Sequence, residues 1–154
     1  MAQPLPHEYE VFLERSGPAP AVITAGPRPA VSVGPPPEFG GDARQWSPEH
    51  LLLSALNACL MATFDAVSHA QGLRIDSYSS TASARLEKTA AGAGFTTFSL
   101  LVHIDTAAGD EERVRAALLR AKDRCFVANA LKAPVGLDMV VTGSPIAEEK
   151  AALA

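Results

Sequence analysis

The sequence predicts an α+β fold, with strands and helices segregated along the chain rather than alternating. Three observations lead there. Residues 14–48 are rich in Pro and Gly, including Pro35-Pro36-Pro37 and Gly40-Gly41, so only short strands fit between the breaks. An apolar run at 51–64, LLLSALNACLMATF, then reads as one long helix. Two stretches suited to strands, a charged helical segment and a last strand follow, giving the order β-β-β-α-β-β-α-α-β. That order favours α+β over a doubly wound parallel sheet.

The early strands are expected at 9–13, 21–24 and 30–33, with a loop over 34–45. Ser47 is a good helix N-cap, and Pro48 is preorganised for the first helical position. Gly72 is the natural stop, so the long helix is expected over 48–70, about 33 Å at 1.5 Å per residue. Its middle is apolar all round, broken only by Ser54, Asn57 and Thr63, which predicts a helix enclosed on every side. One small domain can hardly wrap it, so a partner subunit is expected. Strands at 75–86 and 95–104 flank a turn at 90–94. A helix over 110–124 starts with Asp110, Glu111 and Glu112 at its positive end and carries Val114, Leu118 and Ala121 on one face. A short helix at 126–131 and a strand at 137–142 follow. The tail from Ile146 is polar and Ala-rich and reads as frayed or loosely helical.

The 154 residues fit a single domain, 1–154, with its core at about 9–142 and a tail at 143–154. Hydrophobic content of 47% against 19% charged excludes a disordered chain. The net charge of -4, with Lys and Arg scattered, argues against nucleic acid or membrane partners. The first ten residues lack a basic region followed by an apolar stretch, so no signal peptide is expected and the location is read as cytoplasmic. The 14-residue apolar run falls short of the roughly 20 residues that a membrane span needs.

In a reducing compartment, two cysteines are either inert thiols or chemically used ones. Cys59 lies inside the apolar helix and, taken alone, reads as a buried thiol. Cys125 follows Asp123 and Arg124, which predicts partial exposure. Cys59 would need a cation to become a nucleophile, most plausibly an Arg, with an acid to orient it. Glu49 is the nearest acid before it on the same helix. Ten residues of helix separate the two by about 15 Å, so a Glu49 serving Cys59 would come from another subunit. By itself Glu49 reads as a first-turn acid favoured by the helix dipole, and Arg44 as a solvated loop residue. The dispersed His7, His50, His69 and His103 form no ligand spacing, so neither a metal nor a cofactor is expected. Trp46, just before the helix, reads as a staple against its first turn.

At Trp46-Ser47-Pro48-Glu49-His50-Leu51 through Cys59 the sequence resembles the OsmC/Ohr family, in which a Pro-Glu-x-Leu helix start precedes a cysteine ten residues after the Glu. Cys125-Phe126-Val127-Ala128-Asn129-Ala130-Leu131 matches in outline the segment opened by the family's second cysteine. The resemblance implies an OsmC-like fold, with antiparallel sheets packed around a long buried central helix in an intertwined homodimer. It also implies a dithiol-dependent peroxidase acting on organic hydroperoxides. Cys59 would form a sulfenic acid, Cys125 would close a disulfide with it, and a lipoyl-type dithiol would reset the pair. Two departures stand out. Phe126 replaces a proline frequent in the family, and no residue aligns cleanly with the family's Arg. Arg15, Arg28 and Arg44 are the choices, Arg44 being favoured for its place in the loop before the helix. The alternative is a non-catalytic module that binds a small apolar ligand or senses redox state.

Overall fold

The computed structural model describes residues 4–145 and divides into two compact units, Met1–Leu52 and Leu53–Ala154. The tail from Ile146 lies outside the described residues.

The first unit carries a three-stranded antiparallel sheet in the order β1 (Phe12–Glu14), β2 (Ala21–Thr24), β3 (Val31–Val33). Phe12 and Leu13 on its edge are exposed. Pro37–Phe39 forms a single 3-10 turn within the expected loop. The main chain of Trp46 bridges to the end of β3, with its N–H on the Ser32 carbonyl and the Gly34 N–H on its own carbonyl, and its side chain stays half-exposed.

The long helix α1 spans Pro48–Ala70. Ser47 caps it as its residue type predicts, its buried hydroxyl accepting the His50 N–H at 3.2 Å. Gly72, at φ 63, ends it in a left-handed turn that a residue with a Cβ rarely adopts.

The second unit is built on β4 (Ile75–Thr89), β5 (Gly92–Ala107) and β6 (Val135–Ser144), in that spatial order. β4 and β5 form an antiparallel hairpin longer than expected. They stay paired out to Thr89↔Gly92, so the turn is only Ala90-Ala91. The Gly-Ala-Gly that suggested a turn is strand, and only Gly92 uses its freedom, at φ 111. β5 and β6 are parallel, so the sheet is mixed rather than antiparallel. The reason is the connection. Helices α2 (Glu111–Arg124) and α3 (Phe126–Ala130) lie between them and carry the chain back to the same end.

The core of the second unit collects stripes from β5, α1 and α2. Alternate residues of β5, Phe98, Leu100, Val102 and Ile104, are buried together with Leu56, Leu60 and Phe64 of α1 and Val114, Ala117, Leu118 and Ala121 of α2. Asn57 and Ser80 tie α1 to β4 through two hydrogen bonds, and Phe64 stacks on Tyr78 with ring centroids 5.7 Å apart.

Within the single chain α1 is only partly enclosed, in line with the reading that one small domain can hardly wrap it. A sheet touches only one side of a helix, and the most apolar 18-residue window of α1 is 28% buried in the single chain. Ala55, Ala58, Met61, Ala62 and Ala66 remain exposed. Among the described residues α1 is the one helix long and apolar enough to cross a membrane.

Candidate functional site

The flank of α1 that carries Cys59, Thr63, Ala66 and Ala70 faces a cavity of about 840 Å³, whose other wall holds Arg120 and Arg124 of α2 and Phe126 of α3. The lining is apolar apart from the thiol, Thr63, Gln71 and the two guanidinium groups.

Cys125 sits where α2 stops and α3 begins. Its backbone is extended, at φ -69 and ψ 112, so the chain turns there, and its carbonyl accepts the Asn129 N–H that starts α3. That turn delivers the sulfur to Cys59 and aims the first N–H groups of α3 at the same place. The Val127 N–H, the Cys125 thiol and the Phe126 N–H are the groups there that favour the Cys59 anion.

The two thiols titrate in opposite directions. Burial pushes Cys59 up, but the Val127 N–H, the Cys125 thiol and the Phe126 N–H outweigh it, and its pKa falls below the ordinary thiol value. The Thr63 hydroxyl donates its proton to the Cys59 carbonyl at 2.8 Å. Cys125 is raised, first by burial and then by the neighbouring Cys59 sulfur, against the opposing Ala128 N–H. The site therefore pairs a half-buried sulfur whose pKa is lowered with a fully buried one whose pKa is raised. This reverses the expected exposures. Cys125 is 0% exposed because it continues the buried α2 stripe of Val114, Leu118 and Ala121. The groups that favour the Cys59 anion are main-chain dipoles and a thiol, which a reading of residue types passes over.

Alkylation of Cys59 should follow this balance. Its rate should be half-maximal below about pH 8.5 in the native protein and move up to that value in urea. Below the native midpoint the thiolate is lost and reactivity falls with it. A pH–rate profile by mass spectrometry measures both midpoints.

The other expected site residues lie in the first unit. Arg44 forms a bidentate pair with Asp42, its Nη2 at 2.7 Å, and is 89% exposed. That pairing, through the Arg44 side chain first, lowers Asp42 to a pKa of about 2. Arg15 and Arg28 donate to the nearby Ala19 and Ala25 carbonyls. Glu49 lies in the first turn of α1, its Oε2 buried without a hydrogen-bond partner among the described residues. Among the described residues no group of three or more His, Cys, Asp or Glu could hold a metal ion. Arg120 went unnoticed in the sequence, and Arg124 was read there only as a sign of exposure for Cys125.

The family model for OsmC-like proteins matches residues 40–140, well over half of the chain. The chain belongs to the OsmC-like family. An OsmC-like protein of unknown function from Vibrio cholerae superposes with a TM-score of 0.79 at 16% identity, covering 87% of this chain and 99% of its own. An OsmC-like protein from Mycoplasma pneumoniae gives 0.77 at 15% identity, covering 90% and 99%. An organic hydroperoxide resistance protein from Elizabethkingia anophelis, crystallised with thiocyanate bound, gives 0.72 at 15% identity, covering 92% and 100%. At these identities the likeness establishes the α+β OsmC-like fold, two sheets and a central helix, and nothing finer. No protein of curated function matches this OsmC-like chain in sequence.

Proposed function

We propose that this OsmC-like protein is a thiol-dependent peroxidase that reduces organic hydroperoxides. The observation that carries the reading is a half-buried Cys59 on the wall of the apolar cavity, its pKa lowered by the α3 N–H groups and the buried Cys125 thiol beside it. The Cys59 thiolate attacks the terminal oxygen of ROOH. The O–O bond breaks, RO⁻ leaves and takes a proton as ROH, and Cys59 is oxidised to the sulfenic acid. Cys125 then attacks the sulfenyl sulfur, the S–O bond breaks, and the departing hydroxide takes the Cys125 proton to leave as water. A dithiol of the lipoyl type restores both thiols by exchange and is itself oxidised to the cyclic disulfide. One equivalent of organic hydroperoxide should consume two thiols per chain and yield a mapped Cys59–Cys125 disulfide that a dithiol reverses. Retention of both thiols overturns the proposal.

We further propose a homodimer. The exposed apolar flank of α1 calls for a covering surface, and the buried, unpartnered Glu49 Oε2 calls for a cation. A second copy supplies both, with Glu49 and an Arg of one subunit, Arg44 first, serving Cys59 of the other. Light scattering should give twice the 16.1 kDa chain mass. A fully active 16.1 kDa species overturns the dimer.

A non-catalytic apolar-ligand module is the second reading, favoured by the spacious apolar cavity and by the local engagement of Arg15, Arg28 and Arg44. It predicts that hydroperoxide leaves the thiol count unchanged.

A further inference from the structure

Helix α3 has little of its own to hold it. At five residues it is far below the roughly 12–15 that a free helix needs, none of its residues is buried, and no side chain caps its start. Yet the turn that opens it carries the Cys125 sulfur and the Phe126 and Val127 N–H groups that favour the Cys59 anion. One side chain ties this turn down. Asn129 lies four residues after Cys125, so its N–H closes the first helical bond onto the Cys125 carbonyl at 3.0 Å. Helical side chains lean back toward the N-terminus, and the Asn129 Nδ2 reaches across the turn to donate to the Asp123 carbonyl at 2.9 Å. Asp123 belongs to the last turn of α2, whose final carbonyls have no partner within that helix. The Cys125 N–H takes the Lys122 carbonyl at 3.1 Å, and Asn129 takes the next one. Cys125 is thus bracketed by Asn129, which bonds the carbonyl of Cys125 itself and the carbonyl two residues before it. Among the described residues no other side chain donates to a carbonyl of this turn. The Asn129 side chain is exposed, so its place there owes nothing to packing.

We infer that Asn129 is a positioning residue for both sulfurs, its side-chain amide clamping α3 to the end of α2 and so holding the Cys125 thiol and the Phe126 and Val127 N–H groups at Cys59. Without the Nδ2–H donor the Asp123 carbonyl returns to water, the single turn of α3 frays, and those groups leave the Cys59 sulfur. The consequence for disulfide closure rests on the proposed peroxidase. The consequence for the Cys59 thiol does not.

Two variants test the clamp. Asn129→Asp keeps the size of the side chain and removes its N–H donor, and Asn129→Ala removes the amide altogether. Alanine favours a helix more than asparagine does, so a role confined to helix propensity predicts no loss in the Ala variant. The clamp predicts that in both variants the pH midpoint of Cys59 alkylation by iodoacetamide rises toward the unfolded value of about 8.5. Leu86→Ala, at the hairpin end of β4, loosens the fold elsewhere and should leave the midpoint in place. With one equivalent of organic hydroperoxide, at a pH above these midpoints, the alcohol burst should keep its rate in both Asn129 variants. Disulfide closure should slow about 10- to 100-fold, the scale of a reacting group misplaced by up to about 1 Å, and excess peroxide should then convert more Cys59 to the sulfinic acid. If neither variant folds, amide exchange in the unsubstituted protein decides. One Asn129 Nδ2 proton should exchange more slowly than in the urea-unfolded chain, and equal rates overturn the clamp. An unmoved midpoint in the Asn129 variants, or an equal rise in Leu86→Ala, also overturns it. A raised midpoint in those variants, with both thiols of the unsubstituted protein surviving hydroperoxide, overturns the peroxidase and leaves the clamp standing.

Discussion

Replacing Cys59 by Ser should reduce hydroperoxide turnover to the uncatalysed rate. The chemistry needs a polarisable anion at the end of the groove, and a serine hydroxyl in the same hydrogen bonds stays protonated at any pH the protein survives. The three donors that draw the Cys59 pKa down most, the Val127 N–H, the Cys125 thiol and the Phe126 N–H, would then bond a neutral oxygen that cannot open an O–O bond. Cys125→Ser should behave differently. Its hydroxyl can still donate to the Cys59 sulfur, so the first attack proceeds and one equivalent of alcohol appears per chain. No disulfide can close, Cys59 remains a sulfenic acid, and excess peroxide drives it on to the sulfinic acid. Product bursts and thiol titration on the two variants separate these outcomes. A Cys59→Ser protein that turns over at the unsubstituted rate would remove the sulfur from the reaction altogether.

The two sulfurs show how much of the site was legible beforehand. Their pairing came through a resemblance that depends on the Glu49-to-Cys59 interval and on the segment opened by Cys125. Residue types alone could not supply it, because 65 residues separate Cys59 from Cys125 in the chain. Their exposures were misread because Asp123 and Arg124 describe the outer side of α2, whereas Cys125 is one step further round. The spacing Val114, Leu118, Ala121, Cys125 already places it on the buried stripe. The Val127 and Phe126 N–H groups left no mark in the sequence, since every residue but proline has one. The fold was read more fully. Ser47, Pro48 and Gly72 bound α1 at both ends through local chemistry. The hairpin was cut short because Ala90-Ala91 carries none of the usual turn residues and the nearby glycines drew the turn toward themselves. The exposed flank of α1 is the largest gap between sequence pattern and single-chain structure. An all-round apolar helix states what it must bury, not which chain does the burying.

Phe64→Ala should be the most destabilising single truncation near the site, costing about 3–5 kcal/mol. Phe64 is 0% exposed, follows Leu56 and Leu60 on the buried stripe of α1, and loses its stacking partner Tyr78 when truncated. Against a typical total of about 5–15 kcal/mol, that is a large share of the folding free energy. Urea denaturation should show it as a lower midpoint at an unchanged slope. Leu86→Ala, on the half-exposed end of β4, should lose much less, because part of that side chain already meets water. The effect should also reach the thiol. Phe64 and the Asn57–Ser80 bonds fix the rotation of α1 about its axis, and that rotation decides whether Cys59 points at the N–H groups of Val127 and Phe126. With the ring gone, the helix gains freedom to turn, those bonds lengthen, and burial regains its upward pull on the thiol. In still-folded Phe64→Ala protein the alkylation midpoint of Cys59 should therefore rise toward the unfolded value. If stability drops but the midpoint stays put, the thiolate is held by the α3 turn alone, and α1 serves only to carry the sulfur to it.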